Sequence, residues 1–67
     1  MGELGNRIRE VRENKGLTQA ELAALVGVSR KTINTVENGV YIPSTVLALT
    51  LDRALDTTVE ALFELAE

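Results

Sequence analysis

Between Thr18 and Gly39 the chain carries two short helical patterns whose only separation is Gly27 and the two residues that follow it. So short a connection leaves the two helices little choice of angle, and this constrains the whole chain more than any other feature. The first helix has a defined start: Thr18 followed three residues later by Glu21 is a capping box, in which the hydroxyl accepts from the Glu21 amide and the carboxylate reaches back to the Thr18 amide. Leu22, Leu25 and Val26 then fall at intervals of three and four, which predicts one apolar face. Gly27 supplies a residue able to take the left-handed conformation that ends a helix. Ser29 is placed as the cap of the second helix, and Val28 is placed to staple against Ile33. Ile33 and Val36 point inward, and Gly39 ends the pattern.

Two helices of this length at a tight corner form a helix-turn-helix, a unit that can lay one helix across a DNA backbone and the other in the major groove. The second helix, about residues 30–38, leaves Arg30, Lys31, Asn34, Thr35 and Asn38 outward, a stripe of hydrogen-bonding side chains with no carboxylate among them. Such a stripe suits base edges and phosphates. Arg30 and Lys31 stand at a helix start, where cations oppose the helix dipole, so stability alone does not account for them. Base contacts are therefore expected from Arg30, Lys31, Asn34 and Thr35. Backbone contacts are expected from the caps Thr18 and Ser29 and from Gln19, Asn38 and Tyr41, with the main-chain amides after the second helix also near enough to meet a phosphate.

The rest of the chain reads as three more helices and no strand, giving an all-α, five-helix domain over residues 1–67. Leu4, Ile8 and Val11 form the inward stripe of the first helix, which runs out at Asn14, Lys15 and Gly16. Pro43 bars a helix from continuing through residues 40–43, so the fourth helix starts at Ser44, with Leu47, Leu51, Ala54 and Leu55 inward. Thr57 and Glu60 have the spacing of a second capping box, opening a last helix whose stripe is Val59, Leu62, Phe63 and Ala66. That stripe either closes the core or meets its copy in a second subunit. Both hold together if Val59 and Leu62 face inward while Phe63 and Leu65 are shared across a two-fold axis, which makes about residues 55–67 a dimerisation region.

Composition narrows the chemistry. With 67 residues the chain is near the lower limit for a core without staples, so association can contribute to its stability. There is no cysteine and no histidine, which removes disulfides, thiolate and imidazole metal sites, and the commonest general base. No nucleophile and base pair, metal cluster or phosphate-binding glycine loop can be assembled, so neither an enzyme nor a cofactor or metal is expected. No apolar run approaches the roughly 18 residues that span a bilayer, and no leader pattern opens the chain, so a cytoplasmic protein is expected. The net charge of −3 argues against nucleic acid, but its distribution does not. Residues 1–44 carry +1 and residues 45–67 carry −4; charge held beyond a Debye length of about 8 Å from DNA costs little.

The motifs TQAELA, the Gly27-Val28-Ser29 turn, the Thr32-Ile33-Asn34 step and Glu37-Asn38-Gly39 resemble the Xre family of bacterial, archaeal and phage regulators, which includes the lambda-type repressors. The resemblance runs from about Leu4 to Leu62. It implies that the second of the two central helices is the recognition helix, with Arg30, Lys31 and Thr35 at the positions that commonly touch bases and Gln19 at the position that usually meets a phosphate. It also implies a structural ion pair between Arg12 and Glu37, and pairing of subunits through the C-terminal region, with Val59, Leu62, Phe63 and Leu65 as the interface here. A dimeric repressor that reads an inverted repeat in double-stranded DNA is the first expectation. The alternative, from another class, is a protein-interaction module such as the antitoxin of a toxin-antitoxin pair, with the acidic C-terminal part facing its partner.

Overall fold

In a computed structural model the chain is described over residues 3–66, with side chains over residues 5–65. Strand β1 (Glu3–Asn6) is followed by helices α1 (Ile8–Asn14), α2 (Gln19–Val26), α3 (Arg30–Glu37), α4 (Thr45–Ala54) and α5 (Val59–Leu62), and by strand β2 (Phe63–Ala66). All five expected helices are present, but the first and last are shorter than the periodicity suggests and the two strands were not expected. Each helix supplies at least one residue with no solvent exposure to a single core: Ile8, Leu22, Ile33, Leu51 and Leu62, joined by Leu55 from the end of α4.

Local chemistry accounts for the helix boundaries. Thr18, Ser29 and Ser44 sit in extended backbone and each accepts, through its hydroxyl, the amide proton three residues on. The Thr18 box is closed in both directions, with the Glu21 carboxylate taking the Thr18 amide at 2.8 Å. Helices α1 to α4 all stop in one way: a residue with positive φ follows the helix, and the next amide reaches back to a carbonyl five residues earlier. Gly27 (φ 76°) and Gly39 (φ 74°) provide that residue after α2 and α3, and the amides of Val28 and Val40 return to Ala23 and Thr35 at 3.0 and 2.9 Å. After α4 the residue is Asp56, at φ 53°.

Four expectations need correction. The last helix is capped by Thr58, whose hydroxyl accepts from Ala61, and not by a Thr57–Glu60 box. Thr57 is already engaged, because its amide donates to Asp52 in the turn that ends α4. Leu25 is 61% exposed, and Ala23 is buried in its stead; α2 packs against both α3 and α4, so its inner face centres on Leu22, Ala23 and Val26. Leu4 belongs to a strand and not to the first helix, and the side chains of Leu4 and Ala66 lie outside the described set. Lastly, the last helix ends at Leu62, where Phe63 turns to extended backbone (φ −124°, ψ 146°).

The strands pair antiparallel, Glu3 with Ala66, Leu4 with Leu65, Gly5 with Glu64 and Asn6 with Phe63. Asn6 anchors the junction. Its Oδ1 accepts from the Ile8 amide at the start of α1, and its Nδ2 donates at 2.9 Å to the carbonyl of Val36 in α3. The Arg7 amide donates to Leu62 at 2.7 Å, which fixes β1 to the end of α5. No helix among the described residues is long and apolar enough to cross a membrane.

Candidate nucleic-acid interface

Helix α3 is sharply two-sided because its eight residues put Ile33 and Val36 in the core and leave the polar positions outside. Its first turn holds Arg30 and Lys31 and no acidic residue. Among the described residues neither cation is in an ion pair. Arg30, Lys31 and Asn34 wall one shallow hollow, and Lys31, Thr35 and Tyr41 help to wall a second beside it. The four residues expected to reach bases therefore share one surface.

Their hydrogen-bonding capacity differs. The Thr35 hydroxyl proton is committed to the carbonyls of Lys31 and Thr32 at 3.1 and 3.0 Å, so Thr35 offers outward an acceptor oxygen and a methyl group. Ser29 accepts from the Thr32 amide at 3.1 Å, with its hydroxyl 3.0 Å from that of Thr32. Tyr41 is 47% exposed. The amides after the helix, expected to be free for a phosphate, are already used: Asn38 donates to Asn34, while Val40 and Tyr41 both donate to Thr35. Of the contacts expected there, the Tyr41 phenol stays available, while the Asn38 side chain already accepts from Arg9 and donates to Asn34.

Behind this surface lies a charged cluster. The Glu37 side chain has no exposure. It accepts from Arg12 Nε at 2.6 Å and Nη2 at 3.2 Å, from Gln19 Nε2 at 3.1 Å and from Arg9 Nε at 3.4 Å. Arg12 also donates through Nη1 to the Leu17 carbonyl at 2.8 Å. The Glu37 carboxylate thus ties α1, α2 and α3 together, and Arg12 adds the turn after α1. Burial alone would raise the Glu37 carboxyl, but the bonds from Arg12 and Gln19 prevail and hold it below the usual range. The bond to Glu37 in turn raises Arg12 further. Glu21 is also lowered, by the Thr18 amide that it caps. Gln19, expected at a phosphate, has one amide hydrogen directed inward to Glu37.

Arg9 escaped the sequence reading. It lies one turn before Arg12 on α1, so the spacing was available, but nothing in the sequence marks which arginines face α3. In the structure it reaches both Glu37 and Asn38, at 3.4 and 3.0 Å.

The residues expected at a dimer interface are divided. Leu62 has no exposure and Phe63 is buried, so both serve the core; Val59 packs partly against it. Leu65 is 73% exposed. Leu49 of α4, itself exposed, joins Val59 and Phe63 along a shallow apolar hollow.

Comparison with known proteins bears on the family and the fold. A helix-turn-helix family matches residues 8–62. The uncharacterized HTH-type transcriptional regulator YgzD of Bacillus subtilis is 39% identical over 62 residues, covering 92% of this chain and 94% of YgzD. The restriction-modification controller protein C.AhdI of Aeromonas hydrophila superposes with a TM-score of 0.78 at 42% identity, covering 82% of this chain and 83% of that one. The P22 c2 repressor in complex with a synthetic operator gives 0.78 at 33% identity, covering 81% and 82%. With a matching helix-turn-helix family over most of its length and a lambda-repressor-like fold, the chain belongs to the helix-turn-helix family of DNA-binding transcriptional regulators.

Proposed function

We propose that the protein is a homodimeric repressor that reads an inverted repeat through the major groove and acts in the cytoplasm by occluding a promoter. The observation that carries this reading is the outward face of α3. Arg30, Lys31, Asn34 and Thr35 stand together on a helix whose back is locked by Glu37, so their geometry is set before DNA arrives. Arg30 and Lys31 suit guanine O6 and N7 or a neighbouring phosphate. Thr18, Ser29, Gln19, Asn38 and Tyr41 flank that face and suit the backbone.

Residues 1–67 act as one unit in this reading, with the apolar hollow of Leu49, Val59 and Phe63 and the exposed Leu65 meeting their copies. Pairing matters energetically, because one subunit with a net charge of −3 collects few phosphates. A two-fold pair sets its recognition helices one DNA turn, about 34 Å, apart. The operator complex of the P22 c2 repressor and the controller role named for C.AhdI lend weight to the assignment.

The test is selection of bound DNA from a random duplex pool at near-physiological salt. Enrichment of an inverted repeat with half-sites one turn apart, with a salt dependence of roughly 6 to 10 phosphate contacts per dimer, is the expected outcome. Recovery of the pool unchanged would sink the proposal.

A further inference from the structure

The end of α3 is by itself poorly suited to a phosphate, and Arg9 changes its sign. That last turn has no basic residue, it closes on Glu37, and the negative end of the helix dipole points the same way. Arg12 answers Glu37. It donates to both carboxylate oxygens, at 2.6 and 3.2 Å, and its side chain is only 9% exposed. Arg9 meets the same carboxylate through Nε alone, at 3.4 Å, and its side chain is 54% exposed. Two guanidiniums thus share one carboxylate, and the surplus positive charge is the one that faces solvent.

The position of that charge suits a DNA backbone. Arg9 Nη2 donates to Asn38 Oδ1 at 3.0 Å, which sets the guanidinium beside the residue that closes α3. A guanidinium has five N–H donors; among the described residues Arg9 uses one on Glu37 and one on Asn38, and the others are left for an anion. Arg30 and Lys31 stand at the opposite end of α3. Eight helical residues separate the two ends by about 12 Å, about the width of the major groove whose edges the phosphates line. The hollow beside Arg9 is also walled by Glu10 and Glu13, which repel a small free anion. A phosphate of a duplex is different, because the rest of the interface holds it in place. We propose that Arg9 is a DNA-backbone residue that holds one phosphate of each half-site at the C-terminal end of α3. The proposal rests on the major-groove reading of α3 given above.

The experiment uses the operator enriched by the selection described above, with the full chain and the variants Arg9→Met, Arg9→Gln and Arg9→Lys. Affinity is measured from about 50 to about 200 mM salt. One phosphate contact contributes about 0.9 to the logarithmic salt slope, so Arg9→Met should lower the slope of a dimer by about 2. The same rise in salt should then cost the variant about tenfold less affinity than it costs the unaltered chain. Arg9→Lys keeps the charge and should keep the slope. Arg9→Gln keeps an amide donor for Asn38 without the charge, so it should behave as Arg9→Met does. The selected sequence should be the same for all four proteins, because a phosphate carries no base identity. A second measurement replaces single operator phosphates, one at a time, by neutral methylphosphonate. One position in each half-site should weaken the unaltered chain and leave Arg9→Met indifferent, which places the contact on the duplex. Arg9→Gln takes over this scan if Arg9→Met does not fold.

An unchanged slope in Arg9→Met overturns the inference. So does a slope that Arg9→Gln preserves, which would make Arg9 a support for Asn38 and nothing more. Methylphosphonate losses that are equal in the unaltered chain and in Arg9→Met at every position overturn it as well. Each of these results leaves the enriched operator, and with it the major-groove reading, in place, whereas an unenriched pool removes that reading and this inference together.

Discussion

The side chains of Glu37 in α3 and Leu51 in α4 are both shut off from solvent, yet what surrounds them differs in kind. Glu37 is held by directional bonds from Arg9, Arg12 and Gln19. Leu51 is held by contact with other apolar side chains and by nothing that fixes an angle. The first region stands behind the polar face of α3, and the second closes the molecule around α4, α5 and the strands. The difference teaches where orientation is needed. A surface that presents hydrogen bonds to a ligand has to fix rotations, which charged bonds of defined geometry do, while a region that only has to stay dry can rely on non-directional burial.

The largest expected effect is that of Glu37→Ala. It leaves Arg12 buried without its partner and should cost about 3 to 5 kcal/mol in denaturant unfolding. A loss well under 1 kcal/mol would mean that the cluster orients α3 without stabilising it. Leu51→Ala should cost about 2 to 5 kcal/mol through lost burial and the cavity left behind.

Acid separates the two. Because the Glu37 carboxyl is lowered in the folded chain, its contribution is complete above the ordinary glutamate value near 4.5 and is lost as pH falls through the lowered one. The gap between the unaltered chain and Glu37→Ala should therefore close in acid, and the gap for Leu51→Ala should not. Parallel closure of both gaps would erase the distinction between the regions.

Arg30→Ala probes the polar surface itself and should remove about 1 to 3 kcal/mol of discrimination at one position of each half-site, read from competition binding. An unchanged specificity profile would take Arg30 off the base edges. On the opposite region, Leu65→Ser should weaken self-association by about 1.5 kcal/mol per copy in sedimentation while leaving the unfolding of dilute protein nearly unchanged. Association that is indifferent to Leu65 would move the interface elsewhere. Smallest is Asp56→Gly, which relieves a side chain held at positive φ and should add about 0.5 kcal/mol after the extra backbone freedom of glycine is offset. No gain would mean that Asp56 already suits its turn.

What the sequence disclosed was local. Thr18 with Glu21, Ser29 and Gly27 each act within a few residues of themselves, and a reader of the chain can see both partners at once. The Thr57–Glu60 expectation failed by one position because two adjacent threonines offer the same hydroxyl, and the choice fell to the turn that ends α4, where the Thr57 amide is taken by Asp52. The strands were hidden for the opposite reason. Their partners are nearly a chain length apart, no hairpin turn links them, and Phe63 to Ala66 carry residues that also fit a helical stripe. At the recognition face the residue types were legible, but their commitments were not: the inward turn of Gln19 and the reach of Arg9 to Asn38 depend on how α1 lies against α3, which periodicity does not encode.

The pairing of β1 with β2 also decides how the domain answers to tension. The register places Glu3 opposite Ala66 at the outer end of the pair and Asn6 opposite Phe63 at the inner end. A pull that separates the two ends of the chain loads these cross-strand bonds one after another, from the outside in, instead of all at once. Such a ladder peels at low force, and the helices bear load only once the Arg7 to Leu62 bond at its root has parted. Anything tethered at either end of this chain would tug first on a short zipper, and α3 would keep its posture until that zipper had opened.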